Sequence, residues 1–259
     1  MHRNSLIEQL RQLPARQRVI TALDVSSGNA ATELGARLGS DSALVKVGLE
    51  LFSAAGPAVV RQLQALGCEI FLDLKYHDIP NTIAGAARLA AGMGVAMTTV
   101  HASAGRRGMT AAAEALASTE IPTNRRRPAL LGVTVLTSLT AQELDEVAPS
   151  PLDLPDRIVR LARLAWDSGC DGIVCAPTDL GRVRAELGPE PLVVTPGIRP
   201  APPAGESPAT TPGGDDQRRV ATPAFARREG ADFLVIGRPI TRAADPAAAL
   251  AEIGSQLDS

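Results

Sequence analysis

The sequence predicts an α/β protein of the TIM, or (β/α)8, barrel class. Eight short runs of apolar and β-branched residues recur along the chain, and Ala-, Leu- and Arg-rich segments with helical spacing lie between them. Polar residues end many of these runs, as expected where the carboxyl ends of barrel strands form a site. A doubly wound open sheet would give a similar alternation, and the polar strand ends favour the barrel.

The predicted strands are spread over most of the chain. They span 18–25, 44–52, 69–76, 97–103, 129–138, 172–177, 192–198 and 233–240. Clear helical spacing lies between strands at 56–67 and 155–169. Residues 1–17 are typical of a short amphipathic helix rather than a signal peptide, and no later stretch approaches the roughly 18 uninterrupted apolar residues of a membrane span. We therefore expect a cytoplasmic protein with no membrane partner.

Composition narrows the class of protein. A chain of 259 residues with 45% hydrophobic content can bury one large core, so we expect a single domain over 1–259. A net charge of -2 and an aromatic content of 2% argue against a nucleic acid polymer as partner. The cysteines, Cys68, Cys170 and Cys175, lack C-x-x-C spacing and lie in or beside apolar runs, which indicates buried, reduced thiols.

One segment departs from the regular alternation. The residues from about 200 to 216 are rich in Pro, Gly, Ser and Thr and show no hydrophobic period. Long loops in compact domains are often lids over a site. We predict a lid loop here, and an insertion without a role is the alternative.

The most informative motif is FLDLKYHDIPNT at 71–82. Residues two apart on a strand point the same way, so Asp73 and Lys75 are predicted to share a face, with Asp78 in the turn that follows. A lysine held among carboxylates stays protonated, which suits a proton donor or an electrostatic clamp better than an amine nucleophile. An ordinary surface salt bridge is the plain alternative.

Together with other segments, this motif resembles the orotidine 5'-phosphate decarboxylase family in its common bacterial form. The similarity runs nearly end to end, and DLKYHDIPNT at 73–82 is its most specific part. The other segments are ALDV at 22–25, KVGLELF at 46–52, VHAS at 100–103, VTVLTS at 133–138, TPGIRP at 195–200, DQRR at 216–219 and VIGRPIT at 235–241. Most are weak singly, and their order and spacing make them specific.

The resemblance implies a homodimer that converts orotidine 5'-monophosphate (OMP) to UMP and CO2 with no metal or organic cofactor. It also implies an array of alternating charge formed by Lys46, Asp73, Lys75 and Asp78, with Asp78 supplied by the partner subunit. Loss of CO2 leaves a carbanion on a ring carbon with no adjacent carbonyl, and a fixed ammonium can stabilise that charge and deliver the proton. Lys75 is therefore the predicted general acid, and Asp73 would lie beside the departing carboxylate and hold Lys75.

The same resemblance implies contacts with the sugar and the base of the nucleotide. Asp24 and Lys46 would contact the ribose hydroxyls. Thr137 and Ser138 would lie near the pyrimidine, and Thr82 would reach the partner's site across the dimer interface. A single Asp or Thr after a strand is also a common cap or turn residue, which is the alternative for each of these positions.

Phosphate binding is predicted at the eighth strand. Gly237 and Arg238 follow that strand, where backbone amides and a guanidinium commonly meet a phosphate in barrels. Arg199 and Gln217 would add contacts from the side of the lid, so that phosphate binding drives closure over the reacting ring.

Two other functions fit parts of the sequence. A sugar-phosphate decarboxylase or aldolase of the same superfamily resembles this chain through its Asp-x-Lys-x-x-Asp strand end, and such enzymes typically need magnesium. The HDIPNT continuation, the LTS segment and the pairing of DQRR with GRP favour the nucleotide enzyme, and no separate cluster of metal ligands stands out. A non-catalytic barrel that binds a phosphate ligand is the more distant alternative.

Overall fold

The fold is a closed barrel of eight parallel strands in the order β1 to β8, which confirms the predicted class and excludes the open sheet. This computed structural model describes residues 3–39, 43–123, 125–200 and 219–257. The strands are β1 (Val19–Ala22), β2 (Leu44–Gly48), β3 (Glu69–Tyr76), β4 (Met97–His101), β5 (Ala129–Val133), β6 (Gly172–Val174), β7 (Leu192–Thr195) and β8 (Phe233–Ile236).

Helices alternate with the strands and pack around the barrel. They are α1 (Arg3–Arg11), α2 (Gly28–Arg37), α3 (Leu49–Ala65), α4 (Pro80–Gly92), α5 (Gly105–Ser118), α6 (Ala141–Val147), α7 (Leu154–Asp167), α8 (Leu180–Leu187), α9 (Pro223–Arg228), α10 (Arg238–Thr241) and α11 (Pro246–Ser255). Short 3-10 turns cover Ala15–Arg18, Ala102–Ala104 and Pro177–Asp179. No helix in these described stretches is both long and apolar enough to cross a membrane.

Each predicted strand is present, and most end earlier than predicted. The predicted run 44–52 is divided between β2 and the first turn of α3, because strand and helix both bury apolar residues there. α3 then bends at Gly56, whose φ of 61° is a left-handed conformation that favours glycine. The predicted helix 56–67 is the part of α3 after this bend, and the predicted helix 155–169 is α7.

The barrel interior is apolar at its amino-terminal end. Alternate strand residues, such as Phe71 and Met97, form an inner cluster that is separate from the layer between the strands and the helices. Leu6 and Leu10, one helical turn apart on α1, are fully buried in the same inner cluster and close that end of the barrel. The predicted amphipathic N-terminal helix is thus a plug for the barrel.

The inward positions nearest the carboxyl end carry polar side chains. Four of these polar residues each follow a member of the inner cluster by two positions. They are Asp24 after Ala22, Lys46 after Leu44, Asp73 after Phe71 and Thr99 after Met97. Strand alternation places Lys46, Asp73 and Thr99 on the inner side of the barrel, above the apolar core, and Asp24 follows β1 at the same end. The fold therefore gathers polar groups from four neighbouring strands at one end.

Candidate active site

A continuous chain of opposite charges crosses the carboxyl end of β1, β2 and β3. Nζ of Lys46 donates to Oδ1 of Asp24 at 2.9 Å and lies 4.0 Å from Oδ2 of Asp73. The same Oδ2 accepts a hydrogen bond from Nζ of Lys75 at 2.8 Å. The side chains of Lys46 and Asp73 are only 12% and 11% exposed, against 30% for Lys75 and 63% for Asp24. The array is therefore shielded at its centre and open to a ligand at its ends.

Strand β3 is irregular where it carries these charges. Its pairing with β4 is Leu72 with Thr98 and then Tyr76 with Val100, so that Asp73, Leu74 and Lys75 lie opposite one residue of β4. Lys75 has a φ of 48°, the left-handed region that side chains with a Cβ rarely adopt. The prediction that Asp73 and Lys75 meet is confirmed, although a bulged strand and not regular alternation brings them together.

Two glycines leave room beside the array. A Cβ on Gly48 would lie 3.0 Å from Nζ of Lys46, and one on Gly237 would lie 3.7 Å from Oδ2 of Asp24. Gly48 ends β2 and Gly237 follows β8, so both lie at the carboxyl end of the barrel. Glycine at position 48 keeps the Lys46 ammonium in place.

Asp78 and Thr82 lie apart from the other charges within the one chain. Both are exposed at the start of α4, and Oδ1 of Asp78 accepts a hydrogen bond from the backbone N–H of Ile79 at 2.6 Å. Ile79 itself is 66% exposed. Of the predicted array, the structure thus brings together Lys46, Asp73 and Lys75, and leaves Asp78 facing solvent.

Other predicted contact residues lie just after strands at the same end. Thr137 and Ser138 form a turn after β5, with Thr137 half-buried and Ser138 exposed. Gly237 lies between β8 and α10, and Arg238 is the first residue of α10. Each of these positions follows a strand, as the sequence predicted.

Arg199 lies where the chain leaves β7. Its backbone N–H donates to the carbonyl of Ala221 at 2.9 Å, and Ala221 donates back to Gly197 at 3.1 Å. This short bridge holds together the two chain segments on either side of residues 201–218. Gln217 and the predicted lid from about 200 to 216 lie outside the described residues, apart from residue 200.

Two histidines stack next to the lysine. The rings of His77 and His101 are 5.5 Å apart, and Nδ1 of His101 lies 2.7 Å from the hydroxyl of Ser103. Burial lowers the pKa of His101, and the nearby His77 and Lys75 lower it further. His101 is therefore a neutral imidazole at neutral pH.

Thr99 is a site residue that the sequence reasoning missed. It is fully buried on β4, its hydroxyl accepts a hydrogen bond from the backbone N–H of Lys75 at 2.8 Å, and it donates to Oδ1 of Asp73 at 3.0 Å. The available signal was a polar residue at an inward position of an apolar strand, on the strand next to the DLK segment. Within residues 3–39, 43–123, 125–200 and 219–257, no group of three or more His, Cys, Asp or Glu residues could hold a metal ion.

The sequence and fold of this chain were compared with those of known proteins. Residues 17–253 match the model of the "Orotidine 5'-phosphate decarboxylase / HUMPS family". The chain belongs to this family. Orotidine 5'-phosphate decarboxylases from Laribacter hongkongensis and Moorella thermoacetica are 50% and 43% identical to it, over 92% and 97% of this chain and 92% and 96% of theirs. The crystal structure of the Lactobacillus acidophilus orotidine 5'-phosphate decarboxylase superposes with a TM-score of 0.81 at 36% identity, covering 93% of this chain and 99% of that one.

These matches confirm the family resemblance read from the sequence. The family description joins two names, so the family model alone does not distinguish the nucleotide enzyme from the other. Both relatives are named orotidine 5'-phosphate decarboxylase, and each aligns with this chain over nearly its full length. Within the orotidine 5'-phosphate decarboxylase / HUMPS family, this chain is thus similar to the carboxy-lyase members.

Proposed function

We propose that this chain converts OMP to UMP and CO2, the carboxy-lyase step of pyrimidine nucleotide synthesis. The observation that carries the proposal is the contiguous array of Asp24, Lys46, Asp73 and Lys75 at the carboxyl end of the barrel, in a chain of this family. In barrel enzymes the site is formed at that end. The array supplies the ammonium of Lys75, fixed by Asp73 at an end that a ligand can reach, and a carbanion at a ring carbon requires such a fixed positive charge.

In this proposal Lys75 is the proton donor. The bond between C6 and the carboxylate breaks, CO2 leaves, and the electron pair stays on C6. The ammonium of Lys75 stabilises that negative charge and then transfers a proton to C6, after which the neutral amine regains a proton from water. The hydrogen bond from Nζ of Lys75 to Asp73 at 2.8 Å supports this role, because it fixes the donor before the reaction begins.

The other array residues orient the substrate. Asp73 holds Lys75 and lies beside the departing carboxylate, where the two like charges repel. Lys46 and Asp24 contact the ribose hydroxyls, which is supported by the exposure of Asp24 at the mouth of the array. Thr137 and Ser138, on the turn after β5, contact the pyrimidine.

The phosphate would bind at the end of β8. The backbone amides next to Gly237 and the guanidinium of Arg238 are the proposed donors, and Arg199 and Gln217 complete the set from the lid that we propose for about 200–216. This proposal is supported by the closeness of Gly237 to Asp24, since a Cβ added to Gly237 would lie 3.7 Å from Oδ2 of Asp24. One ligand lying along this end of the barrel would therefore meet both the ribose contact and the phosphate contact.

We further propose that the site is completed by a second copy of the chain. Asp78 and Thr82 would reach the array of the partner subunit. Support comes from Ile79, an apolar side chain that is 66% exposed between them. A homodimer would cover this residue and place Asp78 next to the Lys75 of the partner.

The proposed enzyme is one domain over 1–259 and acts in the cytoplasm without a metal or organic cofactor. The first point is supported by α1, which plugs the barrel, and by Leu250 and Ile253 of α11, which are buried in the layer around it. The cytoplasmic location is supported by Cys68, Cys170 and Cys175, which are all buried free thiols.

The deciding experiment measures the absorbance change when purified protein is mixed with OMP in the presence of EDTA. Lys75→Ala is the control, and its circular dichroism must match that of the wild type. We expect the wild type to form UMP and the variant to lose activity by orders of magnitude. Conversion that requires added magnesium, or no conversion by folded dimer, would replace this proposal with the sugar-phosphate or binding-only alternative.

A further inference from the structure

The hydroxyl of Thr99 connects the two residues at the centre of the array. Its oxygen accepts from the backbone N–H of Lys75 at 2.8 Å, so its hydrogen is free for the contact with Oδ1 of Asp73 at 3.0 Å. A threonine hydroxyl has one hydrogen to donate and lone pairs to accept with. These two bonds therefore fix the direction of the hydroxyl.

The first bond satisfies a backbone group that the sheet leaves without its regular partner. Asp73, Leu74 and Lys75 lie opposite Thr99 alone, so the ladder between β3 and β4 is interrupted there. Lys75 also has a left-handed φ of 48°, and such a residue keeps that conformation only where its surroundings hold it. The Thr99 side chain replaces a ladder acceptor at the strained residue.

The second bond sets the orientation of the carboxylate. Oδ1 of Asp73 is occupied by Thr99, which leaves Oδ2 to face both ammonium groups, at 2.8 Å from Lys75 and 4.0 Å from Lys46. If the carboxylate rotated about its bond to Cβ, Oδ2 would leave both lysines. Thr99 is 0% exposed and lies below the array, so it acts on the reaction only through these neighbours.

We propose that Thr99 is a positioning residue, whose hydroxyl holds the backbone of Lys75 and the carboxylate of Asp73 in their reactive geometry. The inference rests on the proposed decarboxylation for its kinetic consequence. Because Thr99 does not touch the ligand, its removal lowers kcat and changes KM little.

The test compares Thr99→Val and Thr99→Ala, which remove the hydroxyl, with Thr99→Ser, which keeps it. The matched control is Thr98→Val. Thr98 is equally buried on the same strand, but its hydroxyl donates to the carbonyl of Leu72 on the outer side of the barrel. We expect kcat to fall about 10- to 100-fold in the first two variants, as for loss of a hydrogen bond to a charged group. Thr99→Ser and Thr98→Val should stay within about threefold of the wild type.

Two kinetic results would overturn the inference while the wild type turns over OMP. One is a Thr99→Val enzyme with wild-type kcat, and the other is an equal loss in Thr98→Val, which would indicate a structural effect of any buried hydroxyl. A crystal structure of Thr99→Ala gives a reading that does not depend on the substrate. We expect a rotated Asp73 carboxylate and a displaced Lys75 backbone, and an unmoved pair would overturn the inference. Failure of the wild type to turn over OMP would instead count against the proposed function.

Discussion

The ammonium of Lys46 lies 4.0 Å from Oδ2 of Asp73, the same oxygen that accepts the hydrogen bond from Lys75. One carboxylate thus compensates two positive charges. Its side chain is 11% exposed, so water screens these interactions weakly. Without Asp73, the two ammonium groups would lie close together without the carboxylate between them, and Asp24, at the solvent edge, contacts Lys46.

Asp73→Asn should therefore destabilise the protein as well as inactivate it. We expect a loss of about 2 kcal/mol in the free energy of unfolding, below the roughly 3–5 kcal/mol for a fully buried pair because Lys75 keeps solvent access. Asp24→Asn, at the exposed end of the same array, should cost less than about 1 kcal/mol. Urea denaturation at neutral pH measures both values. Equal losses would show that Asp73 contributes no more to the free energy of unfolding than Asp24 does.

The glycine at the end of β2 gives a steric test of the array. In Gly48→Ala, the new Cβ would lie 3.0 Å from Nζ of Lys46, so the flexible end of that lysine must shift by a few tenths of an ångström relative to Asp24 and Asp73. We expect kcat/KM to fall about tenfold or more, on the order of 1.4 kcal/mol, while the fold is retained.

Gly92→Ala is the control for this variant. Gly92 is exposed at the end of α4, and a Cβ there would meet nothing within 4 Å. Its activity should equal that of the wild type. If Gly48→Ala is as active as Gly92→Ala, then the position of Lys46 does not limit the reaction.

The phosphate contact of Arg238 is tested by comparing two substrates. Arg238→Ala should raise KM for OMP about 10- to 100-fold, as expected for the loss of a charge-assisted hydrogen bond. Orotidine, which lacks the phosphate, should be decarboxylated equally slowly by the wild type and the variant. A variant that lost activity equally with both substrates would place Arg238 outside the phosphate site.

Much of this architecture follows from sequence, because the alternation of apolar strands and helices is a local pattern. The limits of β2 do not follow from it. The apolar run 44–52 passes from Gly48 of β2 into Leu49 of α3 without a break in hydrophobicity, so periodicity over so few residues does not separate strand from helix. Likewise, α1 reads as an amphipathic helix, but its place inside the end of the barrel depends on strands far away in the chain.

In the candidate site too, some features follow from local sequence and others depend on residues far away in the chain. Spacing placed Asp73 and Lys75 together, and the family resemblance added Lys46. The backbone N–H of the left-handed Lys75, in the bulge of β3, donates to Thr99, which is 24 residues further along. No pattern within the DLK segment reports that contact. The proposed role of Asp78 requires a second copy of the chain, because its side chain faces solvent in the single chain.

Subunit complementation tests the proposed contribution of Asp78. Lys75→Ala and Asp78→Ala should each be nearly inactive alone. A mixed dimer carries one site with an intact Lys75 and an intact Asp78 from the partner, so random exchange should restore about a quarter of the wild-type sites. The activity of the two variants is measured before and after they are mixed under conditions that allow dimers to exchange.

A mixture of Lys75→Ala with Asp73→Ala is the control for this experiment. Asp73 and Lys75 lie 2.8 Å apart in one chain, so no mixed dimer of these two variants holds an intact site. Activity should stay low in that mixture. Recovery there, or none in the Asp78 mixture, would contradict the proposal that Asp78 acts across the interface.

His101 gives the protein a stability that depends on pH. Burial lowers the pKa of its imidazole in the folded state, and His77 and Lys75 lower it further, whereas the unfolded chain has the ordinary value of 6.5. As the pH falls through that value, the unfolded state takes up a proton that the folded state does not, so the free energy of unfolding decreases. The decrease ends at the folded-state pKa.

The His101→Gln variant should therefore show a shallower loss of stability than the wild type between about pH 7.5 and 5.5, measured by urea denaturation. His77→Gln removes only a smaller contribution and should keep most of the wild-type slope. Parallel curves for the wild type and His101→Gln would assign the slope to another group, because an imidazole that is absent cannot bind the proton.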